Sequence, residues 1–163
     1  MHNLLTRREL IGAAGIGVAA LVVIGRPGTA EGAAHFQVTH SAAEWKHMLG
    51  TKRYAVLREA STERAGSSPL LNEHRKGTFV CAGCKLPLYS SSTKFESGTG
   101  WPSFYKPLPN AVITRPDHKM FVGRTEVLCR RCGGHLGHVF HDGPKPTGLR
   151  YCMNGLALRF VPA

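Results

Sequence analysis

The chain has 163 residues, of which 21 are Lys or Arg, 10 are Asp or Glu and 9 are His, giving a formal net charge of +11 at pH 7. That length holds one domain with its own core. The basic residues are scattered, with no long tract and no arginine–aromatic repeat, so they read as a basic, soluble surface suited to anionic contacts rather than as a nucleic-acid footprint.

Residues 1–34 read as an export signal. Arg7-Arg8 precedes a Gly/Ala-rich apolar run over residues 10–24, which is short and glycine-rich for a membrane span of about 20 apolar residues. Ala30 and Ala34 offer cuts for a signal peptidase. The paired arginines resemble a twin-arginine signal, the type that carries folded proteins across a bacterial inner membrane. Another cleaved signal and an uncleaved anchor are the alternatives. A cut after Ala30 removes Arg7, Arg8, Arg26 and Glu9 and leaves 133 residues at +9. The expected organisation is therefore a signal over residues 1–34 and one domain over 35–163. Its mature form is expected in the periplasm or otherwise exported, not embedded in a membrane. Gly12, Gly15 and Gly17 mimic a dinucleotide fingerprint, but no strand precedes them.

Ser41 can cap a short helix over residues 42–49, with Glu44 completing a capping box. Gly50 ends it, and residues 52–60 read as a second short helix. Residues 61–69 form a polar loop or arm. Short β-like runs follow at 78–80, 88–89, 111–114, 120–122, 126–128, 138–140 and 156–161, punctuated by Gly, Pro and Asp. The pattern predicts a small, mainly β, antiparallel domain preceded by short helices. No internal repeat or low-complexity segment appears beyond two cysteine knuckles.

Those knuckles are Cys81-Ala82-Gly83-Cys84 and Cys129-Arg130-Arg131-Cys132. Together they supply four thiolates suited to one tetrahedral structural zinc, with no open position for chemistry. Disulfides are the rival in an exported chain, although paired C-x-x-C disulfides are mostly redox-active. With 44 residues between the pairs, a metal there would close a large loop.

The fifth cysteine, Cys152, stands in Arg150-Tyr151-Cys152-Met153-Asn154. A lone cysteine is commonly a buried core residue. On a strand, however, Arg150, Cys152 and Asn154 would share one face. The guanidinium would favour a thiolate, and the amide would hold a substrate or water oxygen. His135 and His138 are candidate acids, and Trp101 is a candidate aromatic wall; each also has an ordinary structural reading.

The motifs Cys81-x-x-Cys84, Gly100-Trp101-Pro102-Ser103-Phe104, Arg124-Thr125-Glu126-Val127, Cys129-x-x-Cys132, His135-Leu136-Gly137-His138-Val139-Phe140, Asp142-Gly143-Pro144 and Arg150-Tyr151-Cys152-Met153-Asn154 closely resemble the B-type methionine-R-sulfoxide reductases. The likeness runs from about Trp45 to Pro162. It implies two antiparallel sheets wrapped into a barrel-like core, with one zinc away from the reaction centre. It also implies that Cys152 attacks the sulfoxide sulfur and becomes a sulfenic acid. His138 would donate the proton to the departing oxygen, with His135, His118 and Glu126 shaping the proton and water network. Asn154 would position that network, and Trp101 would meet the ε-methyl and select the epimer. Arg150 would support the thiolate, and Arg124 would give structural or electrostatic support. The implied partners are oxidised methionine-containing proteins and an external thiol or thioredoxin-like reductant, acting on a monomer.

Three departures bear on this expectation. Thr99 stands where many members have a resolving cysteine, so reduction of Cys152 falls to an external thiol. Residues 63–68 lack the proline and aromatic that often follow Glu-Arg, which predicts a more open pocket. Gly155 replaces a common serine, which predicts a looser hydrogen bond. Two rivals from other classes are a non-enzymatic zinc-knuckle binding module and an exported thiol–disulfide oxidoreductase using its C-x-x-C pairs.

Overall fold

The computed structural model describes residues 35–118 and 123–163; the export segment at 1–34 and the expected strand at 120–122 lie outside the described residues. Helix α1 (Ala42–Glu59) opens the domain. Ser41 Oγ accepts the Glu44 backbone N–H at 3.3 Å, and the Glu44 carboxylate accepts the Ser41 N–H at 2.8 Å. This is the expected capping box, in which two otherwise orphaned donors are satisfied. Gly50, at φ 68° and ψ 168°, breaks the helix, so the two expected short helices are halves of one kinked element. Trp45 and Leu49 before the kink and Val56 and Leu57 after it are all buried.

Nine strands follow among the described residues: β1 (Gly77–Cys81), β2 (Pro87–Ser90), β3 (Lys94–Phe95), β4 (Ser103–Phe104), β5 (Val112–Asp117), β6 (Arg124–Cys129), β7 (His135–Phe140), β8 (Arg150–Met153) and β9 (Leu158–Pro162). They form two antiparallel sheets, ordered β2-β1-β9 and β3-β4-β8-β7-β6-β5. The expectation of two antiparallel sheets holds. Closure into a barrel does not: β3 and β5 are unpaired outer edges among the described residues. Pro116 fits that edge, because proline removes a ladder N–H and is tolerated at a sheet's rim.

Aromatic side chains join the sheets. Phe79 meets Phe104 edge-on at 4.9 Å between ring centroids, and Tyr89 stacks on Phe104 at 4.3 Å. Such pairs are worth about 0.5–1.5 kcal/mol each beyond burial. The Tyr89 hydroxyl donates to Met153 Sδ at 3.1 Å, so the fully buried ring keeps a partner for its polar end.

One irregularity in β7 shapes the site. Val127 pairs with Gly137 and Leu128 with His135, so Leu136 is an extra residue opposite β6. This bulge reverses the alternation once. A Cβ on Gly137 would lie 2.1 Å from the Cys152 carbonyl oxygen, so the close approach of β7 to β8 requires glycine there.

Candidate active site

Cys81 ends β1 and Cys129 ends β6, so the two knuckles begin on different sheets. Each turns in the same way. Lys85 N–H donates to Cys81 O and Gly133 N–H to Cys129 O, both at 2.9 Å. Lys85 and Gly133 occupy matching left-handed positions at φ 61° and 68°. The four sulfurs of Cys81, Cys84, Cys129 and Cys132 lie within 4.8 Å of one another, with Cys81–Cys132 at 3.7 Å and Cys84–Cys129 at 3.5 Å. Tetrahedral zinc with sulfur at about 2.3 Å calls for sulfur–sulfur spacings of about 3.8 Å. The donor set therefore fits one four-sulfur metal ion. Helix α1 braces this clamp: Arg58 donates to the Cys132 carbonyl at 2.9 Å and lies 4.9 Å over the Trp45 ring.

Cys152 is central in the larger sheet. Its cross-strand partners are Ser103 on β4 and His138 on β7, His138 in turn faces Glu126, and Glu126 faces Arg115. Cross-strand partners share a face, so one polar row runs across five strands. Cys152 opens into a cleft of about 120 Å³ that is also lined by Thr62, Trp101, Arg124, His138 and Asn154. None of the four knuckle cysteines lines it.

Two carboxylates set the histidines. Asp117, buried, lies 2.9 Å from His138 Nε2 and 3.1 Å from Arg124 Nη2. Glu126, also buried, lies 2.6 Å from His135 Nδ1 and 2.5 Å from Arg115 Nε. An ionised carboxylate only accepts, so Nε2 of His138 and Nδ1 of His135 carry hydrogens. Nδ1 is the ring nitrogen of His138 that Asp117 does not engage. Burial pushes the Glu126 carboxyl up, but the hydrogen bonds and charges of Arg115 and His135 outweigh it and hold it below the ordinary carboxylate range. The two imidazole rings stand 5.4 Å apart. Strict alternation would place residues three apart on opposite faces; the bulge at Leu136 brings both rings together.

Arg150 is gripped by Asp142, with Nε to Oδ1 at 2.9 Å and Nη2 to Oδ2 at 2.7 Å, and it stacks 4.5 Å over Phe140. The bonds from Asp142 raise its pKa against the opposing effect of burial, and the charge of Cys152 adds to the rise. Arg150 thus stands beside the sulfur, as expected for alternate residues of one strand. Asn154 lies just past β8, with Oδ1 accepting from Glu63 N–H at 3.0 Å and Nδ2 donating to Leu136 O at 3.2 Å. Its amide is locked, with a second Nδ2 hydrogen remaining. Trp101 Nε1 donates to the Glu63 carbonyl at 3.1 Å.

The structure therefore brings Cys152, His138, Asn154, Trp101 and Arg124 to one cleft; His135, Glu126 and Arg150 do not line it but pack behind it, against His138 and Phe140. His118 is exposed at the end of β5. Its neighbour Asp117, which the sequence reading did not single out, holds His138. Thr62 was also missed. Glu63 ties Trp101 and Asn154 together through its backbone, while its carboxylate accepts from the Gly155 and Leu156 N–H groups. No sequence pattern announces such a clip. The arm at 63–68 closes against the tryptophan turn, with Gly66 N–H donating to Gly100 O at 2.8 Å. At Gly155 a Cβ would lie 1.9 Å from Ser68 Oγ; the Ser68 side chain fills the space expected to be loose. Thr99 Oγ1 lies 3.7 Å from Cys152 Sγ and 2.8 Å from Ser97 Oγ, which lies 2.7 Å from Ser103 Oγ.

Known proteins resemble this chain in sequence. Residues 49–162 match the SelR domain. A peptide methionine sulfoxide reductase MsrB of Leptospira interrogans is 50% identical over 127 residues, covering 77% of this chain and 97% of that protein. Its namesake in Agrobacterium fabrum is 49% identical over 127 residues, covering 77% and 94%. The one in Thiobacillus denitrificans is 53% identical over 121 residues, covering 74% and 92%. The chain belongs to the MsrB family of peptide methionine sulfoxide reductases.

Proposed function

We propose that this protein reduces methionine-R-sulfoxide, mainly in exported proteins, with Cys152 as nucleophile and an external thiol as reductant. The observation that carries the reading is the cross-strand pairing of Cys152 with His138 in the cleft walled by Trp101. The Cys152 thiolate attacks the sulfoxide sulfur, the S–O bond breaks, and the oxygen leaves the substrate on Cys152 as a sulfenic acid. Methionine is released, and the proton this requires comes from His138 Nδ1. Asp117 fixes the His138 ring, and His135, held by Glu126, packs against it. Trp101 meets the ε-methyl while Asn154 and Arg124 border the oxygen, so exchange of methyl and oxygen positions discriminates the epimers. Arg150 stands beside the sulfur that carries negative charge.

Thr99 stands at the position from which a cysteine would resolve the sulfenic acid in many members of the family. Its hydroxyl cannot form a disulfide, so a first external thiol displaces water from Cys152 and a second releases the reduced enzyme. A thioredoxin-like protein or a small thiol fits that role. Cys81, Cys84, Cys129 and Cys132 would hold one structural zinc; four sulfur ligands leave it no open position, so its contribution is to the fold. The convergence of all four sulfurs on one centre favours that clamp over two redox pairs. We assign the Arg7-Arg8 segment to twin-arginine-type export to the periplasm, with a monomeric mature enzyme that neither spans the membrane nor binds nucleic acid.

The test is a single turnover without reductant. One methionine should form per protein, with Cys152 trapped as a sulfenic acid by a dimedone-type reagent. Methionine formation that survives Cys152→Ser would overturn the assignment.

A further inference from the structure

A second concavity, of about 860 Å³, lies beside the Cys152 cleft and falls in the size range of ligand sites, about 300–1,000 Å³. The cations Lys52, Arg53, Arg64, Arg75 and Arg159 line it, against the two carboxylates of Glu63 and Glu73. Both carboxylates are already engaged. Glu63 accepts two backbone N–H groups, and Glu73 is forked by Arg75 at 2.9 and 2.6 Å. Arg53 and Arg159 have no carboxylate partner among the described residues. Nη1 of Arg53 is buried there without a hydrogen-bond acceptor. Burial, and then the charge of Arg159, lowers the Arg53 pKa. An anion seated against the two guanidiniums relieves their repulsion. Leu156 and Phe160 give the same groove apolar walls, which suit a chain more than a small free ion.

We propose that this groove binds an acidic peptide segment whose carboxylates pair with Arg53 and Arg159. The groove and the cleft share a wall. Thr62 and Asn154 face the cleft, while the next residues in each segment, Glu63 and Gly155, face the groove. A segment seated in the groove thus runs toward Cys152. Resting on the activity proposed above, that segment is the flank of an oxidised methionine in a protein substrate.

Fluorescence anisotropy tests the binding without any chemistry. The zinc-loaded protein is titrated into a labelled glutamate-rich peptide lacking methionine, and into its glutamine counterpart. The acidic peptide should bind at least about tenfold more tightly, and added salt should weaken it. Arg53→Gln with Arg159→Gln should remove about tenfold or more of that affinity, as should Arg159→Glu, an exposed site where misfolding is not at issue. Equal binding of the two peptides, or undiminished binding by both variants, would overturn the proposal. So would inorganic phosphate binding as tightly as the acidic peptide, which would replace the peptide site with a free-anion site. With a sulfoxide-bearing acidic peptide, the variants should raise KM and leave kcat, and turnover of a blocked methionine sulfoxide, unchanged. Peptide binding without any turnover by the parent would sink the reductase reading and leave the groove assignment standing.

Discussion

At the scale of single residues, Cys152 has a hydroxyl, Thr99 Oγ1, within 3.7 Å. Replacing Thr99 with cysteine would put a second sulfur within reach of a Cys152 sulfenic acid. Thr99→Cys is therefore expected to form an internal disulfide after one turnover, read as the loss of two free thiols per protein. Persistence of a trappable sulfenic acid would show that the Thr99 turn cannot close on Cys152. His138→Asn tests the acid. Loss of general acid catalysis should slow methionine release by about 10²–10⁴-fold, and a rate within a few-fold of the parent would transfer the proton to another group.

Among elements, the β6–β7–β8 surface decides where the chemistry stands. Gly137→Ala puts a methyl into the β8 backbone. It should destabilise the fold by about 1–3 kcal/mol or more and cut turnover by separating His138 from Cys152; unfolding curves and rates report the two effects separately. Glu126 gives a pH-dependent test. Its folded pKa is depressed, so the stability it supplies is present above its unfolded value, about 4.3, and is lost as pH falls through the lower folded value. Glu126→Gln should therefore cost roughly 1–3 kcal/mol near neutral pH, and the gap from the parent should close in acid. A gap that stays constant down to low pH would contradict the His135–Glu126–Arg115 account. These elements also mark where sequence reading stops. The run at 111–114 was legible, but its extension through Pro116 to Asp117 was not, because proline argues against a strand unless that strand is an edge. The order of strands, invisible in one sequence, made β5 an edge and delivered Asp117 to His138. Likewise no sequence signal marks the bulge at Leu136, which brings His135 and His138, three apart on one strand, together.

In the molecule as a whole, the knuckles tie the two sheets, and α1 rests on the clamp through Arg58 and Trp45. The clamp was legible because four cysteines at fixed spacing admit few chemistries. The clip made by Glu63, which joins the tryptophan turn to the segment after Cys152, was not, because it depends on backbone groups brought together only by the fold. Metal analysis should give one zinc per chain. Its removal, or Cys129→Ser, should lower the unfolding midpoint sharply and reduce turnover only in step with the loss of folded protein. Full stability without metal would contradict the structural role. Reaction and nucleophile are tested together by turnover of the separated R and S epimers of a blocked methionine sulfoxide by the zinc-loaded protein, with dithiothreitol as reductant. Only the R epimer should be reduced, and Cys152→Ser should abolish that turnover in a folded, zinc-bound protein. No reduction of either epimer by a folded protein with a free Cys152 thiol would contradict the reductase assignment.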